Sequence, residues 1–446
     1  MLNQEKGASM NEKQAMEYIE KTNQIGSILG LESIRELLIR LGNPQDELKF
    51  VHIAGTNGKG STLAYISTIL RVSGYKVGRY ISPTIVSYYE RIQINERPIA
   101  KTKFASYLEK ISLIINDMVE DGLSHPTSFE IETALGFLYF RDKKCDIVVL
   151  ETGMGGALDA TNIIKNTIAT VFASISMDHM QFLGNTLEEI AKNKVGIIKD
   201  GCYVITTSQE KSVMKCLQDE SKIHGCTFLL SDYLSLKKVK SKINKQTFTY
   251  EGFKELEISL NGRHQIENAT LAISCIKALN LYGFKISEES IRKGLKETVW
   301  NGRFSVIGEK PIFIVDGAHN EDAAKRLAES IAFYFTNRKI IYIMGVLKDK
   351  EYVKIIEQTY SYAEQIITVT IPNNPRGMQA YDLAKEIKEF HNCVTVADSL
   401  QEAVEMSYLL ADKNTVIVAF GSLSYLGELI GIVQERDKIR RDTHGK

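Results

Sequence analysis

The chain has 446 residues, 44% of them hydrophobic and 25% charged, with 55 basic and 55 acidic side chains. That length suits two or three domains of ordinary globular composition. A formal charge of zero gives no electrostatic footing for duplex nucleic acid or a membrane surface, and no run of about 18 apolar residues predicts a span.

Met1 to Glu20 is polar and lacks the apolar core of a secretion signal. Met10 opens a second plausible start, so residues 1–9 read as an extension without a structural role. Leu48–Ala54 predicts a short strand, followed at once by Gly55-Thr56-Asn57-Gly58-Lys59-Gly60-Ser61 and then by an apolar helical stretch from Thr62 to Val72. Further strands are predicted at Lys76–Ile81, Asp146–Glu151, Thr167–Ile175 and Tyr203–Thr207, with helices near 103–120, 128–142, 186–198 and 209–223. This alternation predicts a parallel sheet covered by helices on both faces. Residues 226–260 break the rhythm and read as hairpins ending this first domain, before helices at Gln265–Leu279 and Glu288–Lys296.

From Pro311 the alternation restarts, with strands at Ile312–Asp316, Lys339–Met344, Gln365–Thr370, Cys393–Val396 and Val416–Phe420. This is a second α/β domain, and the boundary falls near 297–303. The six cysteines, at 145, 202, 216, 226, 275 and 393, form no CxxC pair. They are expected to be free thiols in a reducing cytoplasm, with Cys145 and Cys275 buried in apolar segments.

The glycine-rich loop is the strongest local signal, because a strand precedes it and a helix follows. Gly55, Gly58 and Gly60 let backbone N–H groups turn toward phosphate oxygens, and the helix start adds a favourable dipole. Lys59 would reach the terminal phosphates, and Ser61 could offer a hydroxyl to Mg²⁺. The spacing departs from GxxxxGK[ST]: Ile53 stands where the first glycine would fall, and Gly60 separates Lys59 from Ser61. Glu151 ends an apolar strand and is followed by Gly153, Gly155 and Gly156, which places a carboxylate at the sheet edge where ligands bind. Asp178-His179 and, in the second domain, Asp316-Gly317-Ala318-His319-Asn320 have the same layout. Polar strand ends in both domains predict a site in the cleft between them.

These segments resemble the folylpolyglutamate synthases of the Mur ligase superfamily. The motifs run in order: AGTNGKGST at 54–62, ISP at 81–83, ERIQIN at 90–95, TSFEIETAL at 127–135, ETGMGGALDATN at 151–162 and DHMQFLGNTLEEIA at 178–191. KVGIIK at 194–199, LNGRHQIENATLA at 260–272, WNGR at 300–303, VDGAHN at 315–320, GVLKDK at 345–350, PRG at 375–377 and FGSLSYLGEL at 420–429 complete the series. The resemblance implies an α/β protein with an N-terminal P-loop-type ATPase domain built on a mostly parallel sheet, residues 1–298. A smaller C-terminal Rossmann-like domain, residues 299–446, would follow.

The same resemblance implies a monomer that uses ATP and two Mg²⁺ ions to join L-glutamate to a folate, or to dihydropteroate, through an acyl phosphate. Gly55, Thr56, Asn57, Gly58, Lys59, Gly60, Ser61, Asn268, Arg303 and Asp316 would bind ATP, with His319 near the γ-phosphate. Ser82 and Glu151 would hold one ion; Glu151, His179 and Lys194 would hold the second. Phe129 and Glu130 match the acceptor region. Thr84, Ala157 and Asn193 stand where relatives usually carry His, Arg and Glu.

Lys194 has a reading of its own. Leu187, Ile190, Ala191, Val195 and Ile198 mark one helical stripe, and position 194 falls on it. A lysine buried there is expected as a neutral amine that adds CO₂, and the resemblance implies a carbamylated lysine at this position.

Three other readings compete. A cell-wall ligase of the Mur type usually carries an extra N-terminal domain, for which too few residues precede the loop. A non-catalytic nucleotide-binding regulator would tolerate loss of Lys59, Glu151 or His179, and all three are present. A nucleic-acid-stimulated ATPase would want a basic stripe, which the chain lacks.

Overall fold

A computed structural model describes residues 9–444 except 27 and 29. The expectation that residues 1–9 are an extension therefore falls almost wholly outside the described residues. The chain divides into two compact units.

The first unit comprises residues up to Ser82, Tyr89–Leu234 and Asn268–Leu295. It opens with helices α1 (Glu12–Asn23) and α2 (Glu32–Arg40). Its eight strands are β1 (Phe50–Ala54), β2 (Val77–Tyr80), β3 (Ile92–Ile94), β4 (Arg97–Pro98), β5 (Ile147–Glu151), β6 (Thr167–Phe172), β7 (Tyr203–Thr207) and β8 (Thr227–Ser231). They form one sheet in the order β4-β3-β2-β5-β1-β6-β7-β8. The pairs from β2 to β8 are parallel; β3 and β4 add an antiparallel hairpin at one edge. Helices α3 (Lys59–Val72), α4 (Lys101–Glu120), α5 (Ser128–Asp142), α6 (Met180–Leu183), α7 (Leu187–Val195) and α8 (Lys211–Ile223) fill the crossovers. The central strands β1, β5 and β6 are buried at every residue, as strands covered on both faces must be. The carboxyl end of β1, flanked by β5 and β6, is where such sheets open a ligand crevice.

The second unit holds Pro83–Tyr88, Ser235–Glu267 and Lys296 onward. The hairpins expected at the close of the first domain are divided. β8 joins the large sheet, whereas β9 (Lys237–Lys242), β10 (Lys245–Tyr250) and β11 (Phe253–Ile258) make a separate antiparallel sheet in the second unit. Gln246 Nε2 anchors this small sheet by donating to the Leu260 and Gly262 carbonyls.

β12 (Ser305–Glu309), β13 (Ile312–Val315), β14 (Lys339–Met344), β15 (Gln365–Thr368), β16 (Val394–Val396) and β17 (Thr415–Phe420) form a six-stranded sheet ordered β12-β13-β17-β14-β15-β16. Only β12 runs antiparallel to its neighbour. Ile314, Tyr342 and Val418 face one side with Leu327 and Ile331; Phe313, Ile343 and Ile417 face the other with Val404 and Leu429. This period-two split is what a sheet covered on both faces requires.

All six cysteines are free thiols. Cys275 is buried as expected, but Cys145 is only half-buried because it sits in the turn before β5 and not in the strand. Among the described residues no helix is long and apolar enough to cross a membrane.

Candidate active site

The loop after β1 turns at two glycines. Gly55 has φ +149°, and a Cβ there would crowd Ala173; Gly58 has φ +90°, and a Cβ there would fall 2.5 Å from Asn268 Oδ1. Only glycine combines those dihedrals with such close approach. The loop is pinned to the chain after β6. The Thr56 and Asn57 N–H groups donate to the Ser174 carbonyl at 2.7 and 3.2 Å, and Thr56 Oγ1 donates to the Ser176 carbonyl at 2.9 Å. Asn268, expected at the nucleotide, is thereby beside Gly58.

Lys59 begins α3, and Gly60 and Ser61 are buried in its first turn. The Lys59 ammonium curls back over the loop, donating to the carbonyls of Gly55 at 3.2 Å and Thr56 at 3.3 Å, with Glu151 Oε1 at 3.9 Å. Glu151 is the last residue of β5 and is buried. Ser82 Oγ, beyond β2, is shielded from solvent with no hydrogen-bond partner among the described residues.

Lys194 is buried on α7 with Ile190, Ala191 and Val195, as the stripe predicts. The helix is fixed by a capping box in which Thr186 and Glu189 satisfy each other's N–H groups. Lys194 Nζ donates to the Gly55 carbonyl at 3.1 Å. Burial, and then the neighbouring Lys59 charge, lower its pKa to about 7, against a partial opposing effect of Asp178 and Asp159. The glycine run after β5 rests directly on α7: a Cβ on Gly156 would lie 2.7 Å from the Lys194 carbonyl oxygen, and Ala157 N–H donates to the Asn193 carbonyl.

His179 adopts the left-handed region, φ +51°, and its side chain is 41% exposed. Its N–H donates to Asp178 Oδ1 at 2.8 Å, and the imidazole Nε2 lies 3.9 Å from Asp178 Oδ2. Among the described residues no three His, Cys, Asp or Glu side chains converge as a metal cluster.

The tip of the Phe129 ring packs against Gly153, where a Cβ would fall 2.5 Å from Cζ, and the ring meets Tyr80 edge-on at 6.1 Å between centroids. Glu130 is different. Its carboxylate accepts from Thr127 N–H and Oγ1, both at 2.8 Å, and from Ile34 N–H at 3.2 Å. It caps α5 and ties down α2.

In the second unit, Asp316 is buried just beyond β13 and accepts the N–H groups of Phe304 and Ala318, each at 2.8 Å. Burial raises its pKa, against the nearby Arg303 guanidinium and these two donors. Arg303 runs along Gly317, where a Cβ would lie 3.2 Å from its Nη1. His319 Nδ1 donates to the Gly317 carbonyl at 2.7 Å. Arg303, Asp316 and His319 are thus assembled around one turn.

Sequence reasoning passed over His52, Asp159 and Thr161. Asp159 and Thr161 form an Asx turn whose signature, an Asp two residues before a Thr, is visible in ALDAT. His52, a lone polar residue inside a buried strand, was the other signal.

A parallel sheet with a glycine loop, a lysine at the helix start and a carboxylate on the adjoining strand defines a nucleotide-phosphate-binding α/β protein. The sequence matches the Mur ligase middle domain over residues 53–276 and the Mur ligase glutamate ligase domain over 302–423. It is 33% identical to the dihydrofolate synthase/folylpolyglutamate synthase of Bacillus subtilis, over 90% of this chain and 94% of that one. The fold is similar to Mycobacterium tuberculosis folylpolyglutamate synthase complexed with ADP and AMPPCP: TM-score 0.87, 27% identity, 95% of this chain and 99% of that one. It is also similar to an FPGS–AMPPCP–folate complex: TM-score 0.81, 28% identity, 96% and 100% coverage. The chain belongs to the folylpolyglutamate synthase/dihydrofolate synthase family of Mur ligases, enzymes that form C–N bonds.

Proposed function

We propose that this chain joins the amino group of L-glutamate to the γ-carboxylate of a folate, using ATP and releasing ADP and phosphate. The observation that carries the proposal is the arrangement of Lys59 over the Gly55 and Thr56 carbonyls, beside the buried Glu151. A cation held over a phosphate-shaped loop neutralises the charge that develops as a phosphoryl group moves. The acceptor carboxylate takes the γ-phosphoryl group, giving an acyl phosphate and ADP. The glutamate amine then attacks the acyl carbon, and phosphate leaves. Phe129 contacts the folate; Arg303, Asp316 and Asn268 contact the nucleotide, with His319 near the γ-phosphate. The enzyme works as a cytoplasmic monomer.

Mg²⁺ fits the residues present. The unpartnered Ser82 Oγ and the buried Glu151 carboxylate are hard oxygen donors, and Ser61 stands in the first turn of α3. Magnesium sites of this kind take one or two carboxylates and complete their shell with phosphate oxygens and water, so they need no protein cluster of three. Glu151, His179 and Lys194, the last as a carbamate, would hold a second ion. When bound, the metal would supply charge neutralisation at the phosphates.

The test is ADP release by the purified chain with glutamate and each of dihydropteroate, tetrahydrofolate and 5,10-methylene-tetrahydrofolate. Dihydropteroate is included because the Bacillus subtilis relative carries both names. Glutamate-dependent ADP release with either folate supports the proposal; its absence with all three acceptors overturns it.

A further inference from the structure

Among the buried polar groups of the first unit, the line running from His52 to Asp159 is not used by the reaction as proposed. His52 lies within β1, fully enclosed, and its Nε2 is 2.9 Å from Thr161 Oγ1. Thr161 Oγ1 is in turn 2.5 Å from Asp159 Oδ1. Asp159 Oδ1 also accepts the Thr161 N–H at 3.0 Å, Oδ2 accepts the Met154 N–H at 2.8 Å, and the Gly153 N–H adds a further favourable interaction.

These contacts are consistent with one direction for each proton. Burial raises the Asp159 pKa, and the Thr161 hydroxyl together with the backbone N–H groups opposes that rise; with donors on both oxygens, Asp159 is taken as the accepting carboxylate. The single Thr161 hydroxyl proton goes to Asp159. The hydroxyl must then accept from His52, which is neutral and carries its proton on Nε2. Nδ1 has no hydrogen-bond partner among the described residues, which fits a neutral ring whose single N–H is at Nε2. Burial, with a smaller effect of Lys199, lowers the His52 pKa to about 3 and keeps it neutral.

We propose that His52 and Thr161 are positioning residues for the folate acceptor: they orient Asp159, which holds the Gly153–Met154 backbone at the height where Phe129 can pack against Gly153. The proposal rests on the reading of Phe129 as the acceptor contact. It assigns the chain to the acceptor and not to ATP because of where the bonds end. Asp159 grips Gly153 and Met154, whereas the phosphate loop takes its own bonds from Ser174, Ser176 and Lys194. Gly153 has no room to tilt, since the Phe129 ring occupies the space of its missing side chain.

Steady-state kinetics on the full chain with ATP, glutamate and tetrahydrofolate test it. Thr161→Val keeps the shape and deletes the hydroxyl. It should raise the acceptor KM about tenfold, the usual scale for a lost hydrogen bond to a buried charge. The ATP KM should stay within about twofold, as expected where one substrate's binding alone is disturbed. Thr161→Ser should restore the acceptor KM, and His52→Gln, which keeps a donor near the Nε2 position, should outperform His52→Leu. An unchanged acceptor KM in Thr161→Val, equal rises for both substrates, or a serine variant as impaired as the valine variant would each overturn the proposal. Phe129→Ala in the same assay separates the two ideas. An unchanged acceptor KM there removes the reading beneath; a raised one beside a normal Thr161→Val removes this inference alone. Imidazole nitrogen NMR of the unmodified chain gives a check independent of variant folding: Nε2–H supports the relay, and Nδ1–H refutes it.

Discussion

The Lys194 ammonium donates to the carbonyl of Gly55 across 3.1 Å, joining α7 to the first residue of the phosphate loop. A buried lysine beside Lys59 is a poor cation and a good nucleophile, since desolvation and like charge both favour its neutral amine. We expect Lys194 to be carbamylated in the active enzyme. A high-resolution map should show planar density extending Nζ, and Lys194→Ala should be nearly inactive and partly rescued by a small added carboxylate. A bare amine in that map, or an alanine variant as active as the parent, would refute this.

Lys59→Ala should lower turnover by about 10²–10³-fold, the scale seen when one preorganised charge-stabilising donor is removed. Its circular dichroism should be unchanged, because Lys59 leads α3 from the surface of the loop and is not part of a packed core. Turnover near that of the parent would exclude Lys59 from phosphate chemistry.

Asp316→Asn replaces one acceptor oxygen with an amide that faces the N–H of Phe304 or Ala318. An unsatisfied buried donor of this kind costs about 1–3 kcal/mol. We expect a lower Tm together with a raised KM for ATP, because the turn that carries Arg303 and His319 loses its clamp. A variant matching the parent in Tm, ATP KM and turnover would remove Asp316 from the site.

Gly153→Ala puts a methyl group where the Phe129 ring lies. Either the ring or the loop after Glu151 must move, and overpacking of this sort costs about 1–3 kcal/mol. The acceptor KM should rise more than the ATP KM. Equal effects on both, measured in the ADP-release assay, would argue that Phe129 does not face the acceptor.

The pH dependence of stability follows in part from His52, buried within β1, and His264, half-buried, both with pKa values lowered by desolvation from 6.5 to about 3. Below pH 6.5 the unfolded chain binds protons at these rings and the native chain does not, so stability falls as pH falls toward 3. The stability is fully present above 6.5. Thermal melts from pH 7 to 4 should therefore show a shallower loss of Tm for His52→Gln than for the parent; parallel curves would show that His52 is protonated in the native state.

The two α/β alternations, the phosphate loop in its strand–helix setting and the inward face of Lys194 are legible in the residue pattern. Each is written in local terms: a run of apolar residues, a glycine spacing, or a stripe recurring every three or four positions. Tyr203–Thr207 and Lys339–Met344 form strands over the same residues that the sequence predicts. The tertiary structure decided what depends on partners far along the chain. The β9–β11 sheet belongs to the second unit because its anchors are residues such as Asn261, which donates to the Phe304 carbonyl 43 residues away in sequence. Glu130 is taken up by capping and by Ile34, and no spacing rule foretells that contact across 96 residues. The buried line from His52 through Thr161 to Asp159 is likewise invisible to any periodicity, since it exists only where β1 passes under the turn at 159–161. Local patterns carry the propensity and burial of an element; the identity of a buried polar group's partner is fixed only when long-range packing brings the two together.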